Sequence, residues 1–276
     1  MAEREELLTK AARDLQWAAI LEALASQASS SVGAERCRRI RLAGSLAETR
    51  AALEETAEMV SLEQGNRALP MAHFPDARST IERAAKGALL NAPDLRDISI
   101  VLGLVADVHR FLKNHQSDVP RLWTLGTDLD DLGALKSAID HAIDPDGNIL
   151  ESATPELRAL TRQASSLKQK IRARLEAILA SSQFADILQE SYFAQRENRY
   201  VIPVKVEHKG EVPGIIHDVS ASGATVFIEP RDLIDLNNHI KEAELAIERE
   251  ARRILQDLSD QMGHHDQSLL GDLEIL

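Results

Sequence analysis

Cysteine occurs once in the 276 residues, as Cys37. A lone thiol excludes an internal disulfide and a cysteine-ligated zinc site. Its setting, "AERCRRIR", reads as helix, and the expectation is a buried structural thiol rather than a nucleophile. Aromatic residues are also scarce, at 3%, while Ala, Leu, Glu and Arg abound. That balance favours long helices with aliphatic seams over an all-β sandwich. No run of 18 apolar residues and no signal-peptide pattern occurs, and "MAEREELLTK" is a charged start. A cytoplasmic chain with no membrane partner is expected. The phosphate-cradling patterns GxxxxGK[ST] and GxGxxG are missing as well. Positive charge is in deficit, with 32 Lys and Arg against 44 Asp and Glu, a net charge of −12. Such a surface repels phosphate on average, so any nucleic-acid contact requires a local basic patch.

What is present is mostly helix. "AARDLQWAAILEALASQAS" places Leu15, Ile20 and Leu24 on one stripe with Trp17 beside it. Ser45 and Glu48 form a capping-box pattern, and Gly65 stands where that helix should stop. "NRALPMAHFPDARS", with two prolines, reads as a loop. Asn91 or Ala92 caps the next helix, with Pro93 in its first turn. Asp144-Pro145-Asp146-Gly147 is turn chemistry. It is not an EF-hand loop, because its glycine falls at the fourth position rather than the sixth. Thr154-Pro155-Glu156 then starts a helix expected to run to about residue 188. Leu157, Ala164, Ile171 and Ile178 recur every seven residues along it, and the seam drifts at Arg174–Leu175. Ile240, Ile247 and Ile254 repeat at seven in a second long helix. The expected geometry pairs the two antiparallel as a stalk.

Between them lies "RYVIPVKVEHKGEVPGIIHDVSASGATVFIEP". Tyr200, Ile202, Val204 and Val206 alternate with Pro203, Lys205 and Glu207 as in a half-buried strand. Pro203 places that strand at an edge or beside a bulge. "VPGIIHDV" and "ATVFIEP" read as two further strands, with turns at Lys209-Gly210 and Ser220–Gly223. The fold class expected is mainly α with a small antiparallel β insertion.

No self-contained active site emerges. His217, Asp218, Ser220 and Ser222 sit on one strand and its turn, where alternating faces prevent triad geometry. The serines are read as turn-stabilising. His264-His265 do not share a helix face, so a metal site is not assigned. Phe227 and Glu229 have a Phe-x-Glu spacing, but within a strand the expectation for Phe227 is core packing. Positive charge does concentrate locally: Arg158, Arg162, Lys168, Lys170, Arg172 and Arg174 on the outgoing helix, and Arg196, Arg199, Lys205, His208 and Lys209 around the first strand. Two readings stand beside each other, a solvated face and a set of phosphate contacts.

The strand block, followed by "LNN" and a charged helix, closely resembles the bacterial MutS-II family, relatives of the mismatch-repair MutS ATPases. "LQWAAILEALA" is similar to that family's first helix, "RAAKGALL" to its Lys-Gly turn, and "IDPDGNILESATPELRAL" to the segment entering its lever. Asn198 departs from the family, standing where a glycine is more usual. The resemblance implies a MutS-like arrangement: a helical core over 1–150, an outgoing lever helix over 151–195, a β-rich clamp over 196–232, and a truncated returning lever helix over 233–276. It implies clamp contacts to nucleic acid from Arg196, Arg199, Lys205, His208 and Lys209, and lever contacts from Arg162, Lys168, Lys170 and Arg172. The implied partners are DNA, as branched or recombination intermediates, or the ribosome and its RNA. Family members continue into a dimerising ATPase domain, which uses ATP and Mg, and usually into an Smr endonuclease domain. They are implied to suppress homologous recombination or rescue stalled ribosomes. No position here matches a nucleotide site, so this stretch is expected to have no cofactor, metal or catalytic residue of its own. The alternative is a helical scaffold that mediates assembly without touching nucleic acid.

Overall fold

The computed structural model describes residues 2–28, 30–71 and 73–276. Met1 of the charged start, Ser29 at the end of the first apolar stretch, and Ala72 within the proline-bearing loop lie outside the described residues. Among those described are eleven α-helices and one four-stranded antiparallel sheet, the mainly α class with a small β insertion. The chain divides into two compact units, 1–150 with 255–276, and 151–254.

The first unit is helical. It holds α1 (Ala2–Asp14), α2 (Trp17–Ala25), α3 (Ser31–Arg39), α4 (Leu46–Gln64), α5 (Arg78–Ala85), α6 (Ala92–Asn114), α7 (Pro120–Gly126) and α8 (Gly133–Ala142). Polar caps set the starts. Ser45 Oγ accepts the Glu48 N–H at 3.2 Å, while the Glu48 carboxylate accepts the Gly44 N–H at 2.8 Å. The capping box thus closes one residue further back than its usual form. Asn91, not Ala92, caps α6, accepting the Asp94 N–H at 2.7 Å. Leu95, Ile98, Val101, Leu102, Val105, Val108 and Leu112 follow at helical spacing and are all buried, which makes α6 the centre of this unit.

Near the N-terminus the sequence reading needs correction. Leu15, Ile20 and Leu24 do not form a core stripe; all three are exposed. Gln16 adopts a left-handed conformation (φ 53°) that breaks the helix between α1 and α2. The break rotates α2, and Leu21 and Ala25, four residues apart, become its buried pair. Cys37 is half-buried rather than buried.

The last helices are α10 (Arg231–Gly263) and α11 (Asp266–Ile275), and α11 packs on α5. On α11, Asp272 is buried, with Oδ1 accepting the Asp130 N–H at 3.0 Å and Oδ2 lacking a partner among the described residues. Burial pushes this carboxyl up to about 6. Because the folded value lies above the unfolded one, the associated stability is complete below about pH 4 and is lost as pH rises through about 6. The ionised form is then disfavoured by about 3 kcal/mol. Asp272→Asn keeps an acceptor for Asp130 and removes the charge. It is expected to stabilise this unit by about 2 kcal/mol at pH 7.5 and by almost nothing at pH 4, read from urea unfolding at both values.

The second unit contains α9 (Pro155–Leu179) and the sheet, with the first part of α10. Thr154 Oγ1 accepts the Leu157 N–H at 3.0 Å and starts α9. The helix ends at Leu179, short of the expected 188. Ser181 accepts the Gln183 N–H and redirects the chain, so that Ile187 and Leu188 are buried against the sheet instead of continuing the helix. Along the seam Leu157, Ala164, Ile171 and Leu175 are buried, with Arg174 exposed, which is the drift read from sequence. Bonds from Thr154 to Glu250, Lys168 to Glu244 and Arg174 to Asp232 join α9 to α10 in reversed order, so the two run antiparallel here.

The strands are β1 (Ala194–Arg196), β2 (Arg199–Lys205), β3 (Gly214–Val219) and β4 (Thr225–Pro230), in the order β1-β2-β4-β3. The three-residue β1 is not visible in the sequence pattern. Glu197 and Asn198 join β1 to β2 with φ of 50° and 61°, the left-handed pair of a type I′ hairpin. That geometry explains why a glycine suits position 198. β2 stops at Lys205, and Val206–His208 form a 3-10 turn rather than extending the strand. The Pro203 carbonyl and Lys205 N–H both bond to the 187–189 segment, so the missing proline donor faces a single bridge and not the β4 ladder. The bulge lies instead on β3, between Ile216 and Asp218.

Gly214 is pinned against β4. A Cβ there would lie 2.1 Å from the Glu229 carbonyl oxygen and 2.9 Å from the Ile228 side chain. Gly214→Ala is therefore expected to part β3 from β4 and destabilise the unit by about 3 kcal/mol, with early hydrogen exchange at Ile215 and Ile216.

Candidate nucleic-acid interface

Charge is distributed unevenly between the units. Residues 151–254 contain 15 Lys and Arg and 16 Asp and Glu, a net −1, which leaves −11 on the rest of the chain. The chain's acidity therefore belongs to the other unit. Within 151–254 the basic side chains separate into those bound to acids and those left exposed.

Around the sheet most are bound. Arg196 donates to Asp218 at 2.9 Å and to the Gln195 carbonyl at 3.0 Å, and its guanidinium lies 4.2 Å from the centroid of the Phe227 ring. Arg199 donates to Glu229 at 3.2 Å and to Asn238 at 2.7 Å. The Lys205 ammonium caps the Asp186 carbonyl at 2.9 Å, and His208 Nδ1 lies 2.7 Å from Glu211. Of the five clamp residues named from sequence, only Lys209 has no side-chain partner among the described residues.

Glu229 organises this region and was not singled out as a structural centre by the sequence reading. It is 1% exposed. Its Oε1 accepts from Arg199 and from Asn237 Nδ2 at 2.7 Å, and its Oε2 faces His217 Nε2 at 2.6 Å. Facing an acceptor, Nε2 is the protonated nitrogen of His217. Asn237 also bonds both backbone groups of Tyr200, its Oδ1 accepting at 3.0 Å and its Nδ2 donating at 3.2 Å. The side chain acts as a strand neighbour where β4 no longer reaches. An acid in the otherwise apolar run "TVFIEP", followed by "NN" nearly two helical turns into α10, was the available signal. An acid in a buried strand needs cationic or N–H partners.

The tempting motifs resolve into structure. His217 bonds Glu229, Asp218 bonds Arg196, and Ser220 Oγ accepts the Thr225 N–H at 3.1 Å with Ser222 Oγ nearby. The serines hold the turn, and Phe227 is buried. In the Asp144 turn, Asp144 Oδ1 accepts the N–H groups of Asp146 and Asn148. Hydrogen bonding from Asn148 foremost keeps that carboxyl below the usual range. His264 Nδ1 lies against the Asp260 carbonyl. Among the described residues no group of three His, Cys, Asp or Glu is arranged to hold a metal, and no helix is long and apolar enough to cross a membrane.

Helix α9 differs from the sheet. It carries six Lys and Arg against two Glu, Glu156 and Glu176. Lys168 is paired to Glu244 and Arg174 to Asp232. Arg158, Arg162, Lys170 and Arg172 are exposed and have no partner among the described residues. Arg158, Arg162 and Lys170 lie away from the buried seam of Leu157, Ala164, Ile171 and Leu175, and Arg172 lies at its edge beside Ala164. This unpaired basic face is the strongest electrostatic feature of the unit.

By fold and surface, the chain is a helical protein with an inserted antiparallel sheet and a basic helix face. Its relatives are the MutS2 proteins. It is 33% identical to the Endonuclease MutS2 of Pelotomaculum thermopropionicum over 267 residues, 97% of this chain and 34% of the relative. Identity to Endonuclease MutS2 of Symbiobacterium thermophilum is 34% over 262 residues, covering 95% and 33%. Identity to the Putative endonuclease MutS2 of Bacillus subtilis is 31% over 265 residues, covering 95% and 34%. No protein-family model matches. The MutS-II resemblance is thus shown for this chain, which spans about one third of the length of the curated relatives it matches.

Proposed function

We propose that this chain is the core, lever and clamp portion of a MutS-II protein, and that residues 151–254 contact nucleic-acid backbones without reading sequence. In this reading 1–150 is the core, 151–195 the outgoing lever, 196–232 the clamp and 233–276 the start of the returning lever. The observation that carries it is the row of unpaired cations Arg158, Arg162, Lys170 and Arg172, joined by Lys209, in a unit of net charge −1. Phosphate contacts of this kind position a protein and carry no base information. The internal pairing of Arg196 and Arg199 supports assigning them to the sheet rather than to phosphates.

The relatives are named endonucleases. Nuclease activity, ATP-driven motion with Mg, dimerisation, and a role on recombination intermediates or stalled ribosomes are proposed for the whole protein. No catalytic residue is assigned to this stretch. The second reading, an assembly scaffold, is favoured for the first unit by its charge of −11, which repels phosphate. Binding of this 276-residue chain to branched DNA and to a ribosomal RNA hairpin, followed by anisotropy, tests the proposal. Binding weakened by salt and insensitive to sequence supports it; no binding at 50 mM salt favours the scaffold.

A further inference from the structure

The seam between α9 and α10 is unevenly filled. Leu157 and Ile171 are large, but Ala164 between them is small, and Ile247 opposite is only half-buried. An open groove of about 370 Å³ results, with Ala164 and Ile247 as its apolar floor. Its volume falls in the lower range of ligand clefts, about 300–1,000 Å³. Thr161, Ser165, Gln169 and Arg172 line one side at helical spacing, with Lys168 beside them. Over 11 residues this stripe extends about 16 Å.

The hydroxyls in this groove behave differently from others in the chain. Thr49, Thr56 and Thr124 donate to the carbonyl four residues back in their helices. Thr161 and Ser165 make no such bond and have no partner among the described residues. Neither does the Gln169 amide or the Arg172 guanidinium. Lys168 alone is paired, to Glu244 at 2.8 Å. The groove therefore presents two hydroxyl donors, an amide donor and a guanidinium, all uncommitted, above an apolar floor. That set matches a phosphodiester: anionic oxygens for the donors, and a sugar for Ala164 and Ile247.

We infer that this groove is a specific seat for one phosphodiester of a bound nucleic-acid strand; it shares Arg172 with the outer basic face, whose other cations act by charge alone. The inference rests on the proposed binding of nucleic acid by residues 151–254. In the seat, Arg172 supplies the charge, and Thr161, Ser165 and Gln169 fix the position of the phosphate oxygens.

Hydroxyl removal separates a seat from a charged face. Thr161→Val with Ser165→Ala changes no charge, so it is expected to lower affinity for duplex DNA about 5- to 10-fold while leaving the salt slope unchanged. Arg172→Gln is expected to lower affinity and to reduce the slope by about 0.9. Gln169→Ala, an exposed change favourable to helix, gives the same loss without risk to folding. Full affinity in both the hydroxyl and Gln169 variants would overturn the seat. If Arg158→Glu with Arg162→Glu still weakened binding, the broader reading would survive; if that variant also bound normally, the broader reading would fall too. RNA of the same sequence in parallel is expected to lose affinity equally in the hydroxyl variant. Inorganic phosphate at 10 mM is expected not to saturate the groove. Saturable, Arg172-dependent phosphate binding with no effect of the hydroxyl variant on DNA would assign the groove to free phosphate and overturn the phosphodiester assignment.

Discussion

Glu229→Leu is expected to destabilise residues 151–254 by about 3–5 kcal/mol. The carboxylate is buried, and four donor atoms depend on its neighbourhood: Arg199 Nη1, Asn237 Nδ2, His217 Nε2, and the Tyr200 N–H held by Asn237. Leucine replaces it with an apolar group of similar size, leaves the His217 N–H without an acceptor, and leaves the Arg199 charge without its carboxylate, with only the Asn238 amide oxygen to accept from it. Breaking one partner of a buried ionic group is far more damaging than replacing the whole set by apolar residues. Glu229→Gln retains an acceptor for Asn237 and is expected to lose about half as much. Chemical unfolding gives the ranking. A loss below about 1 kcal/mol for Glu229→Leu would show that the network is not what joins the sheet to α10.

The second large effect concerns binding. Reversing Arg158, Arg162, Lys170 and Arg172 to Glu is expected to lower affinity for duplex DNA by about 100-fold or more at low salt. None of these side chains has a partner among the described residues, so folding should be little changed. Arg196 and Arg199 should behave in the opposite way. Neutralising them removes ion pairs to Asp218 and to the buried Glu229, so stability falls while the salt slope of binding stays as it was. The two classes of arginine are separated by one structural fact, whether an acid already holds the guanidinium.

Much of this was legible in the sequence, and the exceptions have physical causes. The caps at Ser45, Asn91 and Thr154 and the heptad seam of α9 appeared directly, because each depends on residues three, four or seven apart. The sheet's strands were visible by alternation, yet β1 was not, since three residues carry no period. The stripe of Leu15, Ile20 and Leu24 failed because a single left-handed residue, Gln16, rotated α2 away from the helix that the pattern assumed. The basic residues stand out in the sequence as a set. Sequence spacing did not say which were neutralised, because Asp218, Glu229 and Asp232 reach them across the fold, 22 to 58 positions away. The family resemblance marked position 198 as one where a glycine is more usual, and the positive φ of Glu197 and Asn198 supplies the reason.

The most direct test is an anisotropy titration of the 276-residue chain against one duplex DNA from 50 to 200 mM salt, with and without the four α9 reversals. The account predicts a log–log slope near −4.5 for the unaltered chain, about 0.9 for each of the five contacts from Arg158, Arg162, Lys170, Arg172 and Lys209. It predicts a slope near −0.9, the contact left at Lys209, and little binding for the variant. Equal affinity and equal slope for the two proteins would contradict it.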